Sequence, residues 1–95
     1  MSRALRIEQA LRAHFQPTLI EVNDDSAHHA GHAGASPAGE THFSVTLVSS
    51  AFNGLSRVAR SRAVYSVLNP ELQEGLHALA LTLRTPEELI GLSNG

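Results

Sequence analysis

The chain has 95 residues, an apolar fraction of 42% and a formal charge of −2, which bounds it to one domain with a single modest core. The near-neutral charge excludes a polycation that coats nucleic acid or membrane. No cysteine is present, which excludes disulfides, a thiol nucleophile, a thiolate zinc knuckle and a self-sufficient iron–sulfur site, and fits a reducing compartment.

Met1 to Arg6 lead straight into an amphipathic pattern. No apolar signal core precedes it, and no run approaches the ~20 apolar residues of a membrane span. These features predict a soluble cytoplasmic protein. Ser2 is placed to cap a first helix, with Ala4, Ile7, Leu11 and either His14 or Phe15 on one stripe. Pro17 disfavours helical geometry in the residue before it, so the helix is predicted to stop at Gln16. Thr18 to Asn23 reads as a short strand, with Ile20 and Val22 separated by Glu21.

The segment 23–41 has no large apolar side chain and reads as a long loop rich in His, Gly and Ala. Connections of that length without secondary structure tend to be functional or mobile. His28, His29 and His32 stand at its centre. A short His-rich tract suits transition-metal binding, and the plain alternative is a supple loop that happens to carry imidazoles. His42 to Val48 is the clearest strand, with Phe43, Val45 and Leu47 facing one way and His42, Ser44 and Thr46 the other. Strand, loop, strand predicts an antiparallel hairpin, with His42 a sheet-face residue and not a ligand.

After the turn signal Asn53-Gly54, Ser56 caps a predicted helix to Leu68 with a core stripe of Ala59, Ala63 and Val67 beside Val64 and Leu68. Arg57, Arg60 and Arg62 decorate its first half. Such a set either contacts phosphate or an acidic partner, or is a solvated face. Asn69-Pro70 reads as a cap and first position of a short helical turn that Gly75 ends. From His77 the chain alternates: His77, Leu79, Leu81 and Leu83 share one parity, Ala78, Ala80 and Thr82 the other. Gly75 and Thr85-Pro86 bound this run at strand length. An imidazole thus opens a Leu row, either as a satisfied, partly buried histidine or as a ligand. Thr85-Pro86-Glu87-Glu88 is a capping box that starts a last helix, predicted to fray from Gly91 over 91–95.

The order is helix, strand, strand, helix, helical turn, strand, helix: an α+β fold with a three-stranded mixed sheet covered by helices, one domain over 1–95. At this point the sequence resembles the BolA family. The residues that carry the likeness are Leu11-Arg12-Ala13-His14-Phe15-Gln16-Pro17, Asp24-Asp25-Ser26, Glu40-Thr41-His42-Phe43 and Val48-Ser49-Ser50-Ala51-Phe52 with Gly54. To these are added Arg60 with Arg62, and above all His77-Ala78-Leu79-Ala80-Leu81 followed by Thr85-Pro86-Glu87. One departure stands on the middle helix, where the family often has Arg-His-Arg and this chain has Arg60-Ser61-Arg62.

The resemblance implies a fold akin to the type II KH domain, and a monomer that pairs with a monothiol glutaredoxin, either apo or across a shared [2Fe–2S] cluster. It implies a role in iron–sulfur cluster delivery or iron regulation. The family's ligand histidine at the start of the last strand falls on His77. Its second ligand, from the loop between the first strands, falls on His29, with His28 and His32 as alternatives. With no thiolate of its own, such a chain supplies imidazoles, while a glutaredoxin cysteine and glutathione supply the sulfur; two imidazoles on one iron raise the reduction potential.

Two other readings compete. A KH-like fold with Arg57, Arg60 and Arg62 on one helix suits a DNA-binding regulator, against which stand the net charge and the lack of a Gly-x-x-Gly clamp. Adventitious binding of zinc, nickel or copper by His28, His29 and His32 would ignore His77. No nucleophile–base signature or phosphate-binding glycine motif points to an enzyme.

Overall fold

The computed structural model describes residues 2–25 and 41–94, the side chains of 91–94 excepted. Its elements are α1 (Arg3–Phe15), β1 (Leu19–Asp24), β2 (His42–Val48), a 3-10 turn (Ser50–Phe52), α2 (Arg57–Val67), α3 (Asn69–Gln73), β3 (Ala78–Arg84) and α4 (Pro86–Asn94). The three strands form one sheet in the order β1-β2-β3. β1 pairs antiparallel with β2, and β2 pairs parallel with β3, so the sheet is mixed as the sequence predicts.

Local chemistry accounts for these boundaries. The Ser2 hydroxyl accepts from the Leu5 N–H at 3.2 Å, and Ile7, Leu11 and Phe15, four residues apart, are the buried stripe of α1. His14 is exposed, so Phe15 closes that stripe. Helix α1 ends at Gln16, which takes a left-handed φ of 47° before Pro17. Strand β2 is central because it alone buries a full apolar row of Phe43, Val45 and Leu47. In register, Val22 and Leu81 flank Val45, while Ile20 and Leu83 flank Leu47, giving one apolar sheet face. Against that face pack Ile7, Leu11 and Phe15 of α1, Phe52, Val64 of α2, Leu68 and Leu76.

Three expectations are corrected. The inward face of α2 is Arg60, Val64 and then Leu68, with Ala59, Ala63 and Val67 half-buried beside it; the predicted Ala59–Ala63–Val67 stripe is rotated because Arg60 is itself buried. Asn69 is the first residue of α3 and not its cap, and Leu68 at the cap position offers no side-chain bond. β1 runs through Asp24, so the connection to β2 is shorter than 23–41.

Candidate functional site

The end of the sheet where β3 begins is built by short-range bonds on both sides of His77. Glu71 of α3 is held by two arginines of α1, its oxygens lying 3.1 Å from Arg3 Nε and 2.9 Å from Arg6 Nε. The Arg6 hydrogen bond, and then that of Arg3, hold this carboxyl below the usual Glu range although burial opposes them. Arg3 also donates to the Glu74 carbonyl at 3.0 Å. Gly75 then reverses the chain at φ 123°, a backbone conformation L side chains rarely adopt. Leu76 donates from its N–H to the Glu71 carbonyl at 3.0 Å and buries its side chain in the core. His77 follows, its N–H donating to the Thr41 carbonyl at 2.8 Å, while its side chain is exposed.

The backbone of His77 is therefore fixed and its imidazole is presented to solvent. Among the described residues the ring makes no hydrogen bond, and its one ring contact is with His42, 6.3 Å between centroids. His42 is half-buried, and its Nδ1 shares a 2.9 Å hydrogen bond with the Thr41 hydroxyl. The His42 carbonyl accepts from the Asp25 N–H at 2.7 Å, and the Ser44 hydroxyl donates to the Asp25 carboxylate.

Asp25 and Thr41 are the two ends of the segment that carries His28, His29 and His32. Both ends are thus bonded into the sheet beside His77. His28, His29 and His32 themselves lie outside the described residues. The structure brings His42 to His77, a pairing that strand parity alone does not show. Its signal is the connection from Val48 to Ala78, long enough for the crossover a parallel strand needs; the parallel pairing places the starts of β2 and β3 at one end.

The arginines of α2 divide. Arg60 is 8% exposed. Its guanidinium reaches the Leu55 carbonyl at 3.0 Å, the Leu83 carbonyl at 3.3 Å and Glu88 at 2.6 and 3.1 Å, with its carbon 5.9 Å from the Phe52 ring centroid. It is a tie between α2, β3 and α4, closed to phosphate. Arg57 and Arg62 are exposed. Glu88 also accepts from the Thr85 N–H at 2.8 Å, completing the capping box. The Arg60 hydrogen bond first, and the Thr85 backbone bond second, hold the Glu88 carboxyl down to about 2.

Among known families, the model described as BolA-like protein matches residues 11–88. The chain belongs to the BolA family. Its BolA fold superposes on the BolA domain of SufE1 from Arabidopsis thaliana with a TM-score of 0.82 at 45% identity, covering 93% of this chain and 96% of that one. The full SufE-like protein 1, chloroplastic/mitochondrial, of the same plant is 46% identical over 93% of this chain, which spans only 25% of that protein's length. A DNA-binding transcriptional regulator BolA from Escherichia coli is 46% identical over 94% of this chain and 81% of its own length. No helix among the described residues is long and apolar enough to cross a membrane.

Proposed function

We propose that this BolA-family chain is an accessory protein of iron–sulfur cluster trafficking or iron regulation that shares a [2Fe–2S] cluster with a monothiol glutaredoxin. The observation that supports this is an exposed His77 imidazole on a hydrogen-bonded backbone, at the sheet end where the His-bearing segment leaves at Asp25 and returns at Thr41. Among the described residues no three His, Asp or Glu side chains form a group that could hold a metal ion, so on this reading His77 needs donors from elsewhere. The donor chemistry fits: imidazoles replace two thiolates on one iron of a [2Fe–2S] centre, and the sulfur ligands come from a glutaredoxin cysteine and glutathione. The second imidazole is assigned to His29, with His28 and His32 as alternatives. Imidazole must be neutral to bind, so the shared cluster is lost in mild acid.

The test is visible absorption and circular dichroism of the protein mixed with cluster-loaded monothiol glutaredoxin and glutathione. A new spectrum at one-to-one stoichiometry, lost with His77→Ala and changed with His29→Ala, is the expected result. Running His42→Ala alongside tells a ligand from a neighbour. A glutaredoxin spectrum that never changes defeats the proposal.

A second reading, DNA-binding regulation, is favoured by the name of the Escherichia coli relative. On this reading Arg57 and Arg62 are the phosphate contacts, since Arg60 is engaged internally. Removing both is expected to reduce the salt slope of DNA binding by about 2 in log–log terms. A slope unmoved by the double variant rejects them as contacts.

A further inference from the structure

Helix α2 turns Arg60, Val64 and Leu68 inward, yet it also carries an apolar stripe outward. Val58 is 60% exposed and Tyr65 is 40% exposed; separated by two helical turns, they share one face. With Leu72 of α3 they line an open groove of about 800 Å³. Arg57 and Arg62 also line it, and no acidic side chain does. Among the described residues neither guanidinium forms an ion pair or a hydrogen bond. The chain as a whole carries −2, so the cationic character is local to this groove.

An apolar floor of Val58, Tyr65 and Leu72 with two unpaired cations selects a ligand with apolar anchors and carboxylates. We infer that the α2–α3 groove is a docking site for an acidic amphipathic helix of another protein. Its aliphatic or aromatic anchor seats among Val58, Tyr65 and Leu72, and its carboxylates face Arg57 and Arg62. A nucleic-acid strand would leave Val58 and Leu72 without partners suited to them. A second copy of this chain, offering Glu87 and Ile90 of α4, is the competing occupant, and dependence of the shifts on protein concentration alone is its sign. The site uses none of the residues at the β3 sheet end, so it operates whether or not His77 holds a ligand.

The experiment is a titration of isotope-labelled protein, followed by amide resonances. The probe is a synthetic helical peptide of about 14 residues with Leu at i, i+4 and i+7 and Glu on the flanks. A Lys-for-Glu version and a single-stranded oligodeoxynucleotide serve as comparators. The acidic peptide is expected to move the amides of Val58, Ser61, Tyr65 and Leu72, and the Lys version is not. Arg57→Glu with Arg62→Glu is expected to weaken binding about tenfold at low salt, Val58→Asp to abolish it, and His77→Ala to leave it unchanged. The substituted positions are exposed, and undisturbed amide dispersion certifies that each variant is folded. The inference is overturned by silence of those four amides, by an equal response to the Lys peptide, by tighter binding of the oligonucleotide, or by shifts that follow protein concentration alone.

Discussion

Two backbone positions set how sharply the chain turns, and they fall on opposite sides of the same rule. Gln16 carries a side chain at φ 47°, where glycine is at ease. Gly75 sits at φ 123°, where a side chain is strained, and an added Cβ would also approach the Arg3 guanidinium at 3.6 Å. Gln16→Gly is therefore expected to stabilise the fold by about 0.5–1 kcal/mol. Gly75→Ala is expected to destabilise it by about 1–3 kcal/mol. Chemical denaturation midpoints check both, and the opposite signs make the pair a test of conformation and not of bulk. The Pro17 signal exposed the first of these turns in the sequence. His77 was equally legible, because alternation and Gly75 isolate it. His42 was not, since its position in the site depends on which strand lies next to it, and a strand's own parity says nothing about its neighbour.

At the scale of elements, α4 is held by one carboxylate that performs two tasks. Glu88 caps its own helix through the Thr85 N–H and closes the ring of acceptors around Arg60. Because its pKa is held down to about 2 from an ordinary 4.5, its stabilising contribution is present in full above the ordinary value and is lost as pH falls from there toward 2. Glu71, also lowered, acts in the same direction for the α1–α3 contact. Thermal melting is expected to be flat near neutrality and to fall through the acid range. Glu88→Gln should melt lower at pH 7 and decline less steeply in acid, with the residual slope due to Glu71. Thr85→Ala removes the hydroxyl half of the cap and is expected to cost about 1 kcal/mol at any pH where the helix forms. The capping box was readable from Thr85-Pro86-Glu87-Glu88. The facing of α2 was not, because a run with three arginines looks solvated until Glu88 and two carbonyls are known to surround the middle one.

The whole molecule rests on one strand. β2 lies between β1 and β3 and supplies Phe43, Val45 and Leu47 to a core that α1 and α2 close. Leu47 is fully buried there, and Leu47→Ala is expected to cost about 2–5 kcal/mol. Ile90 is 61% exposed, and Ile90→Ala is expected to change stability by less than about 0.5 kcal/mol. Small domains are stable by only about 5–15 kcal/mol, so the first substitution should leave a visibly unfolded fraction by urea titration and the second none. The order of elements was legible because alternation and prolines marked each boundary, although the facing of α2 and the start of α3 departed from the pattern. The bonds that join Asp25 to His42 and Thr41 to His77 have a consequence for variation within this architecture. They make the sheet end a fixed frame, so the stretch strung between Asp25 and Thr41 is free to differ in length and composition. Doubling such a connection costs only about 0.6 kcal/mol. That stretch can therefore be lengthened, shortened or recomposed while the scaffold beneath it folds unchanged.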